Sequence, residues 1–207
     1  MTLPADERFP DSTFVEDTAI IAERVAILAR PGAASRADEV HAIAEALGPM
    51  RPEFERIEAP GTLDGGDICQ AGEHFFIGIS ARTNAEGARQ LAAILVAHGY
   101  TCSTIDIRSH ATLLHLKTGI AWLGDRRCIA VAGFPRPPEL TSFEFIEVKA
   151  ADAYAANCVR VNDAVLVAAG FPVVSSRLRS SGFTLHELEM SEFRKMDGGL
   201  SCLSLRF

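Results

Sequence analysis

The sequence predicts an α/β fold assembled from one repeated unit, arranged as a ring or an open stack. Three observations predict it. A pattern of hairpin, helical segment and further strand recurs at a spacing of roughly 40–50 residues, the range of propellers and solenoids. The 207 residues are 48% hydrophobic, enough for one buried core and too apolar for disorder. The segments that lead into the hairpins are rich in carboxylates, glycines and one histidine, so equivalent ends of the units carry reactive groups.

The first hairpin spans Thr18–Arg30 and turns near Glu23-Arg24. The second, Asp67–Ser80, turns at Ala71-Gly72-Glu73, and the third, Gly119–Gly133, at Gly124-Asp125-Arg126. The fourth, Asn157–Gly170, turns at Asn162-Asp163. In each, turn-forming residues interrupt β-branched and aromatic runs. Ser35 is a candidate cap for a helix over Ala37–Leu47, where Val40, Ile43, Ala44 and Leu47 form one stripe. Asn84 precedes a second helix, Ala85–His98, and Gly99 is its stop signal. The later helical segments are shorter. Strands follow at Phe54–Glu58, Ser103–Ile107, Phe143–Val148 and Thr184–Met190, and a closing strand at Leu200–Phe207. Four hairpins and a strand without a downstream partner suggest a five-unit ring lacking most of its first unit. A four-unit or open arrangement is the simpler alternative.

A net charge of −7 argues against nucleic acid or an anionic membrane as the main partner. Only Lys117, Lys149 and Lys195 are lysines, and the arginines form no stripe. Apolar runs such as Gln90–Val96 and Ala164–Gly170 are too short to span a bilayer, and no signal-peptide pattern opens the sequence. Five cysteines without a C-x-x-C pair argue against a zinc site or a disulfide framework, which points to a reducing, cytoplasmic setting.

The polar entries hold the chemistry. Phe9–Asp17 contains Asp11, Glu16 and Asp17; Gly61–Asp67 contains Asp64; Leu114–Thr118 contains His115; Met196–Cys202 contains Cys202. Brought to one end of a common axis, a thiol, an imidazole and carboxylates form a nucleophile, a proton carrier and a cradle for a planar cation. Most cysteines in apolar strands are packing groups; that is the reading for Cys69, Cys102, Cys128 and Cys158. Cys202 differs because Gly198-Gly199 permit close backbone approach to a ligand. His41, His74, His98, His110 and His186 stand in polar or helix-end contexts and read as surface groups. His115 lies between Leu114 and Leu116 and reads as part of an apolar strand. Asp67 is readable as a simple turn cap.

The segments FPDSTFVEDTA, RPGAASR, GTLDGGDI, FFIGISARTNAEG, LHLKTG, YAANC and SEFRKMDGGLSCLSLRF, in this order, resemble the dimethylarginine dimethylaminohydrolase family of the guanidine-modifying pentein superfamily. The resemblance covers essentially the whole chain. It implies a pentein-type five-fold pseudosymmetric α/β propeller forming a single domain over residues 1–207, with its first module and a substrate lid largely missing. It implies hydrolysis of N-methylated arginine to citrulline through a covalent thiouronium on Cys202, with His115 as proton donor and Asp64 orienting it. Glu16 and Asp17 would grip the guanidinium, and Asp11 would lie near the substrate amino group. Arg36 and Arg82 would bind the α-carboxylate, and the Met196 carbonyl would also touch substrate. No metal or organic cofactor is implied; the partner is a small methylarginine, with a homodimer as the assembly to consider. An arginine deiminase or another amidinohydrolase of the superfamily is the rival enzyme, and a non-catalytic binder of arginine analogues the rival from another class.

Overall fold

The protein is described from a computed structural model over residues 1–206. Among these residues the repeat is realised as four three-stranded sheets of one design. They are β1 (Ala19–Ile21), β2 (Ala26–Leu28) and β3 (Glu55–Arg56); β4 (Ile68–Ala71), β5 (His74–Ile79) and β6 (Thr101–Asp106); β7 (Ile120–Gly124), β8 (Arg127–Val131) and β9 (Glu144–Val148); and β10 (Val159–Val161), β11 (Ala164–Ala168) and β12 (Thr184–Leu188). In each sheet the first two strands pair antiparallel and the third returns parallel to the second. A parallel return needs a crossover, which explains why a helical segment follows every hairpin.

Turn chemistry fixes the hairpins. Gly72, Gly124, Asp125, Arg126 and Asn162 all take positive φ, the left-handed conformation of tight hairpin turns. The crossovers are α1 (Glu39–Leu47), α2 (Ala85–Ala97) and, in the fourth unit, α4 (Pro172–Ser180). Asn84 caps α2 by accepting the Gly87 N–H at 2.7 Å, and Gly99 follows its end at φ +79°. In the third unit the crossover shrinks to one helical turn, Pro138–Leu140, because Pro135, Pro137 and Pro138 cannot sit inside a longer helix.

The core explains why the units stand side by side. One apolar cluster joins the first two sheets through Ile27, Leu63, Phe75, Ile77, Leu91 and Leu95. A second joins the second and third sheets through Phe76, Leu116, Ile120 and Cys128. A third joins the third and fourth through Leu123, Ile129, Val165, Val167 and Leu178. Each unit therefore buries side chains against its neighbour, at about 1.5–3 kcal/mol per large residue. The inner strands β4, β7 and β10 lie beside one another in sequence order, so their N-terminal ends share one side of the axis.

Several expectations need correction. Leu200–Phe207 is not a strand: Ser201–Leu203 form a 3-10 turn, and Phe207 lies outside the described residues. The side chain of Ser201 is drawn into polar bonds and Arg206 turns toward Glu16, so the segment follows polar partners rather than a ladder. Ser35 does not cap α1; it sits in a 3-10 turn, Ala34–Arg36, and the helix begins at Glu39, whose carboxylate is held by Arg36. The strand expected over Phe54–Glu58 shortens to Glu55–Arg56, both exposed, between the partly buried Phe54 and the buried Ile57. His115 is not within a strand. It is the extended residue before a short helix, α3 (Leu116–Gly119), and its N–H donates to Thr118 Oγ1 at 3.2 Å. Among the described residues no helix is long and apolar enough to cross a membrane.

Candidate active site

The polar entries converge as the repeat requires. Asp17 ends the segment before β1, Asp64 precedes β4, and His115 precedes β7. All three are buried, at 2%, 1% and 7% exposure. His115 Nε2 stands 3.0 Å from Asp64 Oδ2 and 4.0 Å from Asp17 Oδ1. The other Asp64 oxygen accepts the Gly32 N–H at 2.8 Å, which holds the carboxylate in one orientation. Asp17 Oδ1 accepts the Gly66 N–H at 2.9 Å. Gly66 must be glycine here: a Cβ would lie 2.8 Å from both Asp17 Oδ1 and the His115 ring. Gly65 has the same constraint, because its Cβ would sit 2.0 Å from the Glu16 carbonyl oxygen.

Burial works against charge on His115, yet the hydrogen bond it donates to Asp64 and the fields of Asp17, Asp67 and Asp64 outweigh it and lift its pKa to about 9. Burial likewise pushes Asp64 up, but the His115 bond and charge prevail and hold its carboxyl below the usual range. His115 is thus an imidazolium at neutral pH. Asp67, assigned only a turn-capping role from the sequence, is fully buried beneath this pair. It accepts from the hydroxyls of Ser80 and Thr83 at 2.7 Å each and from the Leu116 N–H at 2.9 Å. Thr83 in turn accepts the Asp64 N–H at 3.1 Å, so Asp67 braces both Asp64 and His115.

Glu16 and Asp17, the expected guanidinium clamp, already have cationic neighbours. Asp17 Oδ2 meets Arg36 Nη1 at 2.5 Å. Glu16 Oε1 meets Lys117 Nζ at 2.5 Å, and its Oε2 accepts from Ser201 Oγ at 2.6 Å. Arg36 is buried and committed to Asp17, Glu39 and the carbonyls of Asp11 and Phe14. A role on a substrate carboxylate would require it to exchange one of these bonds. Arg82 is only partly buried and, among the described residues, pairs with no carboxylate. Asp11 is partly buried at the start of the chain's first 3-10 turn, and Met196 is exposed in the segment before Gly198.

Cys202 lies in the Ser201–Leu203 turn, partly buried, and Sγ accepts the Gly199 N–H at 3.4 Å. Burial first, then the charges of Glu16 and Asp17, push its thiol up to about 12. The glycines before it are needed for packing: a Cβ at Gly198 would strike the Phe14 ring, and one at Gly199 would lie 2.5 Å from the Asn157 side chain. Cys69, Cys128 and Cys158 are buried packing groups with thiols raised by burial, and all five cysteines are free. His115 is the buried one of the six histidines.

Sequence reasoning missed Lys117, Ser201, Asn157 and Glu39 as parts of the site. Their only signal was proximity to the entries; none belongs to a type that announces chemistry by itself. The ligand atoms of Asp17, Asp64 and His115 lie within 4.8 Å of one another, a spacing a cation could bridge. The hydrogen bond to His115 and the Arg36 pair already account for that closeness. A cavity of about 610 Å³ opens elsewhere, along the inner strands β1, β4, β7 and β10 beside Glu16, Lys117 and Ser201. It touches neither His115 nor Cys202. The Glu16–Lys117–Ser201 cluster therefore separates the reactive groups from that channel.

Residues 9–151 match the family model described as arginine deiminase. The N-terminal domain of ArgZ, an arginine dihydrolase from cyanobacteria, superposes with a TM-score of 0.85 over 98% of this chain and 77% of its own, at 20% identity, which speaks for the fold alone. Repeated units around a polar axis, with Cys, His and carboxylates at one end, define a pentein. Over 206 residues the chain is 48% identical to the N(G),N(G)-dimethylarginine dimethylaminohydrolase of Pseudomonas aeruginosa, covering 99% of this chain and 80% of that one. A Cys-to-Ser mutant of a Pseudomonas aeruginosa family member, solved with citrulline, matches with a TM-score of 0.94 over the same shares. The chain belongs to the dimethylarginine dimethylaminohydrolase family, with a further relative of that name in Streptomyces coelicolor at 33% identity over 98% of the chain and 76% of the relative.

Proposed function

We propose that this protein hydrolyses Nω-methylated arginine to citrulline and dimethylamine or methylamine, with Cys202 as nucleophile and His115 as proton carrier. The observation that carries the reading is the buried Asp64–His115 pair, 3.0 Å apart, whose imidazole is protonated at neutral pH. A leaving amine needs a proton, and an imidazolium held by a carboxylate supplies it.

The thiol and the imidazole do not form a ready ion pair, because Cys202 is raised to about 12 by burial and by Glu16 and Asp17. A guanidinium entering beside those carboxylates offsets their field and favours the thiolate, so the substrate's own charge helps activate the nucleophile. The thiol proton leaves to solvent and Sγ attacks the guanidinium carbon. The C–N bond breaks as the amine takes the His115 proton. Neutral His115 then removes a proton from water, which attacks the thiouronium carbon; the C–S bond breaks as the new hydroxyl loses its proton to solvent, releasing citrulline and the thiolate. Glu16 and Asp17 hold the guanidinium, Asp11 faces the substrate amino group, and the Met196 carbonyl adds a contact. Arg82, with Arg36 behind it, receives the α-carboxylate, a match of planar fork to carboxylate. The five free cysteines support a reducing, cytoplasmic place of action.

The family model described as arginine deiminase favours a second reading, removal of an unsubstituted nitrogen from arginine by the same residues. Citrulline release from asymmetric dimethylarginine, monomethylarginine and arginine, measured side by side on purified protein, decides. Faster turnover of the methylated substrates is expected; a preference for arginine would establish the deiminase reading, and no citrulline from any of them would sink both.

A further inference from the structure

Asn157 belongs to a series visible only in three dimensions. At the entry of three units, one buried side chain accepts a backbone N–H from the next entry segment. Asp17 accepts from Gly66, Asp67 from Leu116, and Asn157 from Ser201, each at 2.9 Å. Each accepted N–H lies within two residues of a group proposed to act in the reaction: Asp64, His115 and Cys202. The first two acceptors are carboxylates and the third is an amide.

The amide has a reason. While Asn157 Oδ1 accepts from Ser201, its Nδ2 donates to the Lys117 carbonyl at 3.1 Å and to Ser201 Oγ at 3.1 Å. Ser201 Oγ then donates to Glu16 Oε2 at 2.6 Å. One side chain thus ties the turn that carries Cys202, the short helix that carries His115 and the carboxylate that faces the thiol. An aspartate could make the first bond but neither donation. Its charge would also compete with Glu16 for the Ser201 hydroxyl and add a third carboxylate to the two that already disfavour the Cys202 thiolate.

We propose that Asn157 is the positioning residue of the nucleophile, required as a neutral amide to hold the Cys202 turn in register with His115 and to orient the Ser201 hydroxyl onto Glu16. The proposal rests on Cys202 and His115 acting as described above.

The test uses the full chain as parent, Asn157→Ala, Asn157→Asp and Ser201→Ala, read by citrulline release, thermal melting and the pH dependence of Cys202 alkylation by iodoacetamide. Asn157→Ala should lower kcat by roughly tenfold, the value of one to two lost hydrogen bonds, with KM changed by less than about threefold. Asn157→Asp should fall further in kcat and move the alkylation midpoint to higher pH, although it is the closer isostere. Ser201→Ala should reproduce the smaller loss without that midpoint shift. Should the Asn157 variants fail to fold, Ser201→Ala alone still decides, since unchanged kcat there would break the chain of contacts. Equal losses in Asn157→Ala and Asn157→Asp that follow melting temperature, with one common alkylation midpoint, would make Asn157 a packing residue and overturn the proposal. Absence of citrulline from the parent would instead strike the reaction itself, and the alkylation profile would still test Asn157.

Discussion

The two walls of the candidate site are built by the same latch with opposite electrostatics. On the imidazole wall, Asp17, Asp64 and Asp67 surround His115 with carboxylates, and their combined field overcomes burial to keep the ring protonated. On the thiol wall, the equivalent latch is Asn157, which adds no charge beside a cysteine that burial and two carboxylates already hold near 12. Either residue type could accept the shared backbone N–H at either place, but the remaining partners differ: hydroxyl donors around Asp67, a carbonyl and a hydroxyl acceptor around Asn157. The difference teaches that the repeat supplies the position and the chemistry of the neighbouring group selects the charge.

The largest expected effect breaks the imidazole wall outright. His115→Gly should lower citrulline formation by about 10²–10⁴ at all pH values, the range for a lost general acid/base. Activity within a few-fold of the parent would return His115 to a structural role. Cys202→Ser is the matching break on the other wall: turnover should vanish while circular dichroism stays unchanged, and a haloamidine should no longer label the protein.

A smaller effect sharpens the carboxylate side. Asp67→Asn would face two hydroxyl donors and a backbone N–H with a group that cannot accept all three, costing on the order of 1–3 kcal/mol. The melting temperature should fall, and with the negative field reduced the His115 midpoint in the pH–rate profile should move down. A lower melting temperature with an unmoved midpoint would show that Asp67 acts by packing only.

Arg82→Ala tests the rim of the site rather than its walls. It should raise KM for methylarginine by about tenfold, one charge-assisted bond, and leave agmatine, which lacks a carboxylate, nearly unaffected. Equal losses for both would remove the carboxylate assignment.

The mildest test is pH-dependent stability. The His115 pKa is raised on folding, from an ordinary value near 6.5 to about 9. Its contribution is therefore complete below about pH 6.5 and is lost as pH rises through about 9. Melting temperature should decline across that interval, and His115→Gln should flatten the decline. A parent curve level from pH 6.5 to 9.5 would contradict the protonated imidazole.

Much was legible in the sequence because it was local. Hairpin positions followed from residues such as Gly72, Gly124 and Asn162, whose backbone conformations are set within four residues. The α2 boundaries followed from the Asn84 cap and the Gly99 stop. Cys202 and His115 stood out because thiol and imidazole are rare and reactive types. What stayed hidden depends on partners distant in sequence. Asp67 looked like a turn cap because its bond to Leu116 spans 49 residues, and Lys117 gave no sign of its pairing with Glu16. The strand expected after Gly199 yielded to a 3-10 turn because Ser201 found Asn157 and Glu16.

By itself, then, the sequence determined the repeated unit, its turns and the kinds of reactive side chain at each entry, since those depend on backbone preference and residue chemistry. Only the tertiary structure decided which carboxylate meets the imidazole, which amide bonds the turn that carries Cys202, and which arginine pairs with buried carboxylates inside the wall. Those choices are made where side chains from different units compete for the same few hydrogen bonds out of water, and no local preference encodes the outcome of that competition.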